Sequence, residues 1–240
     1  MAFFSLLGGI FALTQYLQFA HGYSAIQAGA VMTPLALGLI MGAGSSGKAV
    51  ERIGIAPVVT AGLSGLAIVL ATTLLWTPET SLGALLPWVF FLALSMGWVM
   101  APATEAVVSS VPAVKSGVAS AMNTVARMVS GALGVAVVGS LVNSLYEDDL
   151  EPALSGLPPA AHEAAAESIG AANAVAGQLP PEAGSPLLAS AGDAFVNAMA
   201  QGLLVAAALS AVAAVIVMRV LGGRSVVHGA HARVGSSSPA

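Results

Sequence analysis

In the stretch APATEAVVSSVPAVKSGVASAMNTVAR, residues 101–127, a glutamate and an arginine interrupt an otherwise apolar chain. Glu105 and Arg127 are side-chain types that can carry a proton, pair as ions across two helices, or meet a charged substrate. Asn123 precedes Arg127 by one helical turn on the same face. Gln15 and Gln18 add two polar groups to the first apolar run, where they can line a cavity or serve hydrogen bonds inside a bundle.

Nucleophilic chemistry is a weaker reading. Two G-x-S-G matches, at Gly44–Gly47 and Gly62–Gly65, have the form used by rhomboid-type intramembrane serine proteases. Such a serine needs a histidine base on a neighbouring helix. His21 and His162 fall in or beside loops, and His228 and His231 in the tail, so no dyad forms at membrane depth. His162-Glu163 is followed by Ala166 where a zinc-binding second histidine would stand, and the chain has no cysteine. No cofactor or metal is indicated.

The elements that must hold these residues are membrane helices. Hydrophobic residues make up 57% of the 240, charged residues only 8%, and the mean hydropathy is +0.90. Ordinary soluble domains carry about a quarter charged residues. Apolar runs cover about 3–20, 27–47, 57–76, 86–108, 117–144 and 193–221, the first four near the ~20 residues that cross a bilayer and the last two longer. The expected fold is an all-α membrane protein of six transmembrane helices. The first run lacks the basic start of a signal peptide and reads as a retained span. Three regions group these spans: 1–144 with the first five, an extracytoplasmic loop 145–192, and the last span at 193–221. A disordered cytoplasmic tail is expected over 222–240.

Charge placement orients the spans. Lys48 and Arg52 follow the second span, Lys115 the fourth, and Arg219, Arg224 and Arg233 lie at or beyond the end of the sixth, while the other three loops hold no Lys or Arg. The positive-inside rule then makes both termini cytoplasmic in a multi-pass protein of the plasma membrane. Glu79, Glu147, Asp148, Asp149, Glu151, Glu163, Glu167 and Glu182 fall on the opposite side, and Asp193 marks the start of the sixth span. Within 145–192, proline pairs bracket one expected short amphipathic helix, whose Ile169, Val175 and Leu179 either lie on the membrane surface or cover a neighbouring helix.

Depth separates the two opening charges. Glu105 lies only ~5–8 Å from the cytoplasmic end of its span, near enough to be a plain anchor. Arg127 lies ~15 Å into the next span, where a charge costs at least ~2.5–3.5 kcal/mol unless it is paired or wet. A Glu105–Asn123–Arg127 cluster bridging spans four and five is the expectation, serving gating, structure, or proton and substrate contact. Asn143 and Asn197 read as helix-end polar contacts. Met32, Met41, Met96, Met100, Met122 and Met128 suit either a pliable ligand wall or ordinary packing. Pro34, Pro87 and Pro102 suit kinked helices.

GSSGKAVERIG, residues 44–54, ends the second span and crosses the first basic loop. Its Glu51 and Arg52 can pair with each other or with helix termini, or simply anchor the loop. The spacing of Gly47, Glu51, Arg52 and Gly54 resembles the G-x-x-x-[D/E]-R-x-G signature of the major facilitator superfamily, without its final basic pair, since Ile55 and Ala56 follow. Residues 97–140 resemble the fourth and fifth helices in the C-terminal half of the fourteen-helix drug:proton antiporters of that superfamily. The matching positions are Pro102, Glu105, Pro112, Gly117, Ser120, Asn123, Arg127, Gly131, Gly134 and Gly139. Residues 191–217 resemble that family's last helix.

The resemblance implies one six-helix half of an exporter that moves small amphipathic molecules against protons by alternating access. The implied partners are the lipid bilayer, protons, substrates, and an N-terminal half or partner chain, with no nucleic acid. A half that only assembles with or regulates a partner, or a transport-incompetent fragment, would have the same sequence.

Overall fold

A computed structural model describes residues 1–109 and 111–234, with the side chains of Ala113 and 221–234 outside that description. The described residues build nine α-helices and no strand: α1 Ala2–Gln15, α2 Ala25–Val31, α3 Thr33–Ile53, α4 Ile55–Ala71, α5 Leu82–Ser109, α6 Ser116–Leu154, α7 Pro159–Glu167, α8 Ile169–Ala176 and α9 Pro181–Val234. Six stretches are long and apolar enough to cross a membrane: Ala2–Ala20, Ala25–Ile53, Ile55–Leu75, Leu82–Ser109, Ser116–Leu154 and Pro181–Val220. Helices are the form such a chain must take, because lipid offers no partner to an open backbone N–H or carbonyl.

Helix ends follow local chemistry. Ser24 and Gln27 form a reciprocal capping box at α2, with the Ser24 hydroxyl accepting from the Gln27 N–H. Pro34 enters the first turn of α3, where its missing donor costs nothing, so it starts a helix rather than kinking one. Gly54 separates α3 from α4 at φ +87°, a conformation that disfavours a side chain. Residues Tyr16–Ala20 continue α1 as a π-helical turn, and Thr72–Leu75 tighten the end of α4 into a 3₁₀ turn.

Small residues bring the helices together. A Cβ on Gly38 would lie 2.3 Å from the Phe90 carbonyl oxygen, one on Gly42 2.4 Å from that of Leu94, and one on Gly97 2.6 Å from the Ala43 nitrogen, so α3 and α5 touch backbone to backbone. Gly134 of α6 does the same against Phe4 of α1. Close approach of this kind replaces water expulsion as the source of helix association in lipid. The buried Ser5 hydroxyl donates to the Ala206 carbonyl at 3.0 Å and lies 2.7 Å from Ser210 Oγ, tying α1 to α9.

The 145–192 region departs from its expected form. α6 runs on to Leu154 and α9 begins at Pro181, so nearly half of the region belongs to helices already counted as spans. At 39 residues α6 is ~58 Å long, about twice the hydrocarbon thickness. Its buried side chains Val138, Val142, Tyr146, Leu150 and Leu154 recur every fourth residue and carry one packing face past the apolar segment. The single amphipathic helix is two, because Ser168 is extended (φ −169°, ψ 159°) and its hydroxyl accepts the Ala171 N–H to cap α8. Ile169 is buried, with Val175 and Leu179 packed on the same core, so these residues cover neighbouring helices. Tyr146 donates its hydroxyl to the Ala165 carbonyl at 3.3 Å and pins α7 to α6. Asp193 sits inside α9 rather than at its start, and Asn143 and Asn197 lie mid-helix. At 222 the helical backbone continues without a break to Val234, where a disordered tail was expected; residues 235–240 lie outside the described residues.

Candidate functional site

Arg127 stands where α1, α5 and α6 converge. Pro87 and Pro102 both lie inside α5, and Gly97 between them lets α3 press close to that helix. The facing α6 offers Asn123, Arg127 and Ser130 on the side towards α5.

Two cavities meet at the arginine. One, of about 190 Å³, is bounded by the start of α1, by Met96, Val99, Met100, Ala103 and Thr104 of α5, and by Asn123, Ala126, Arg127 and Ser130 of α6. The other, of about 480 Å³, opens between α3, α5 and α6, with Leu39, Ala43, Gly97, Ala101, Glu105 and Val108 on its wall. Met100, Thr104 and Arg127 line both. Of the six methionines noted in the sequence, Met100 and Met96 face the ligand-sized space, while Met41, Met122 and Met128 are exposed on the helix surfaces.

The expected Glu105–Asn123–Arg127 cluster forms only in part. Among the described residues no carboxylate comes within ion-pair distance of Arg127. The Arg127 Nη2 instead donates a long hydrogen bond, 3.4 Å, to Thr104 Oγ1, and its guanidinium carbon lies 5.6 Å from the centre of the Phe3 ring. The Thr104 hydroxyl spends its own proton on the Met100 carbonyl, 2.7 Å away. Glu105 is exposed and shares the larger cavity with Arg127 without pairing to it. Asn123 lines the smaller cavity, and its Nδ2 is sealed from solvent with no hydrogen-bond partner among the described residues.

Other expected site residues are spread out. Gln15 lines a separate cavity of about 240 Å³ under α8, with Asn143, Tyr146 and Ser168. Gln18 is partly buried in the π-helical turn. Glu51 and Arg52 are exposed, and among the described residues neither is in an ion pair. Gly54 has a clear structural reason in its positive φ, whereas Gly47 has open space around it.

The geometry also brings together an aromatic group at the acidic end of the bundle that sequence reasoning missed. The buried Tyr16 donates its hydroxyl to the Thr77 carbonyl at 2.6 Å, across 61 residues of sequence. That hydroxyl proton being committed, His21 Nε2, 3.0 Å away, is the donor to the Tyr16 oxygen. Trp76 extends the stack with its ring centre 5.3 Å from that of Tyr16, Trp88 lies 5.1 Å beyond Trp76, and Trp88 Nε1 donates to the Val69 carbonyl at 2.8 Å. The concentration of Tyr, Trp and His just at span ends was the available signal, since such rings favour the membrane interface. Burial pushes the His21 pKa below its ordinary value.

The chain is similar to known transporters along most of its length. It is 34% identical over 218 residues to the multidrug efflux pump LfrA of Mycolicibacterium smegmatis, covering 90% of this chain and 43% of that protein. It is 32% identical over 228 residues to the tetracenomycin C resistance and export protein of Streptomyces glaucescens, covering 90% of this chain and 41% of that one. The chain belongs to the major-facilitator multidrug efflux proteins. A third relative, the methyl viologen resistance protein SmvA of Salmonella typhimurium, is 32% identical over 199 residues, or 81% of this chain and 39% of its own. No family model matches.

Membership makes the chain a multi-pass membrane protein of a family of efflux proteins rather than of enzymes. Of the two G-x-S-G matches, Gly62–Gly65 has a packing explanation, whereas Gly44 and Gly47 have open space around them. Gly62 and Gly65 admit Ser95 and Val99 of α5, and Ser45 accepts the Trp98 indole N–H at 2.9 Å. The chain spans somewhat under half the length of these efflux relatives.

Proposed function

We propose that this chain is the C-terminal six-helix half of a proton-coupled exporter of small amphipathic molecules, working by alternating access against a second half. The observation that carries this reading is the coincidence of open helix faces with the two cavities that meet at Arg127. Only 22% of the most apolar stretch of α3 and of α6 is buried, against 44% in Ala2–Ala20 and in α5. α3 and α6 also border the larger Arg127 cavity. Exposed side chains such as Leu37, Ile40 and Met41 on α3 and Met122, Val125 and Val129 on α6 suit contact with a second bundle across a shared path.

In this reading Arg127 is the central polar group of the path, Thr104 and Asn123 orient the groups around it, and Glu105 faces the cytoplasmic mouth. The basic helix ends and both termini lie on the cytoplasmic side of the plasma membrane. Gly47, Glu51, Arg52 and Gly54 form the cytoplasmic turn about which the halves rock.

The test is co-expression. In an efflux-deficient bacterium, the chain and a polypeptide carrying the N-terminal half of a relative are each expressed alone and then together, and accumulation of a fluorescent amphipathic dye is followed. Lower accumulation only with both chains, reversed by a protonophore, is the expected result. Equal accumulation with and without the pair would sink the proposal.

A further inference from the structure

We propose that the smaller Arg127 cavity binds the carboxylate of a small amphipathic acid. This rests on taking that cavity as part of the transport path, and it specifies the chemistry the path accepts.

The cavity has an excess of hydrogen-bond donors around a positive charge. A guanidinium has five N–H donors and no acceptor, and among the described residues Arg127 has one long hydrogen bond, to an oxygen whose own proton is already committed to Met100. The Phe3 ring offsets part of the charge but offers no lone pair edge-on. Asn123 Nδ2 brings two more N–H groups, shut away from solvent and unpartnered among the described residues. Each such orphan is costly in a low-dielectric setting. An entering cation or neutral donor would deepen the imbalance. A carboxylate corrects it, since its two oxygens accept from the guanidinium and the amide at once, in hydrogen bonds strengthened by charge.

The rest of the wall sets the body of the ligand. Met96, Val99, Met100 and Ala103 are apolar, and the unbranched methionines can adapt to a flat ring. The volume of about 190 Å³ exceeds the ~150 Å³ of an engineered apolar cavity that takes benzene. One aromatic ring bearing a carboxylate fits this space, and Glu105, exposed beside the neighbouring cavity, lies off the wall that would meet it.

The full chain in lipid nanodiscs at pH 7 is titrated with sodium benzoate, with benzamide as the uncharged counterpart and benzylamine as the cationic one, all at constant ionic strength. Binding is read from the saturable rise in unfolding temperature. Benzoate is expected to bind at least tenfold more tightly than either comparison compound. Arg127→Gln should weaken benzoate at least tenfold, whereas Arg127→Lys, which keeps the charge and guards against a folding failure of the first variant, should retain the preference for benzoate over benzamide. Equal binding of benzoate and benzamide by the unaltered chain, or benzoate binding unchanged in Arg127→Gln, would overturn the assignment. No transport enters this measurement, so its failure leaves the co-expression result standing, and the reverse holds too.

Discussion

Arg127 lies ~17 Å along α6 from its first residue, at 1.5 Å per residue. Its contacts are modest: a cation–π approach contributes about 0.5–2 kcal/mol and the 3.4 Å hydrogen bond less than a short one. The cost of holding a cation at this depth is at least as large. On this balance the arginine adds little to the stability of the fold, in keeping with the place proposed for it in the transport path. Arg127→Leu is expected to leave the unfolding temperature unchanged or higher while reducing dye export by the assembled pair to background. A large loss of stability would show that the side chain is structural. Glu105→Gln, altering an exposed group in no ion pair among the described residues, should keep most of the export seen with the unaltered pair.

His21 supplies a second residue-scale prediction. Its pKa is lowered by burial, so the folded state favours the neutral ring, while the unfolded chain titrates near 6.5. The stability this contributes is fully present above about pH 6.5 and is lost as pH falls through the lowered native value. Unfolding temperature should thus drop between pH 7.5 and pH 5, and His21→Gln should flatten part of that drop. An identical pH profile in the variant would rule His21 out as the titrating group.

At the scale of elements, α3 and α5 are held by backbone contact that permits no side chain. Gly42→Leu would drive its Cβ into the Leu94 carbonyl, now 2.4 Å from that position. Overpacking of this kind costs about 1–3 kcal/mol. Gly44, two residues on, has nothing within 4 Å, so Gly44→Ala should be neutral or slightly stabilising. Unfolding of the two variants in detergent distinguishes a close seam from general glycine flexibility. α6 teaches a different lesson about elements. Hydropathy locates its lipid-buried part but not its end, because Glu147, Asp148, Asp149 and Glu151 depress the average while the helix continues. The four-residue spacing from Val138 to Leu154 was the better guide, since it marks the packing face regardless of what faces water. Likewise the extended Ser168 was hard to foresee: serine caps are legible only once the helix after them is located.

For the molecule as a whole, the proposed orientation is open to direct labelling. The chain has no cysteine, so single introduced cysteines report sidedness cleanly. Glu79→Cys, at the acidic end, should react with an impermeant maleimide in intact cells, and Ile53→Cys, at the basic end, only after permeabilisation. The opposite pattern would reverse the proposed topology. The sequence by itself determined the membrane class, the number of spans and the separation of basic from acidic ends, because the cost of placing charge in hydrocarbon acts on each residue locally. It also marked Arg127 as needing a reason, by depth alone. Only the tertiary structure decided what surrounds that arginine. Thr104 rather than Glu105 meets it, Phe3 lies near its guanidinium, and Asn123 Nδ2 has no partner among the described residues, since such contacts depend on helix rotation and glycine-mediated approach between segments far apart in sequence. Tyr16 and Thr77 meet for the same reason: hydropathy sets how deep a residue lies, and packing alone sets which way it faces.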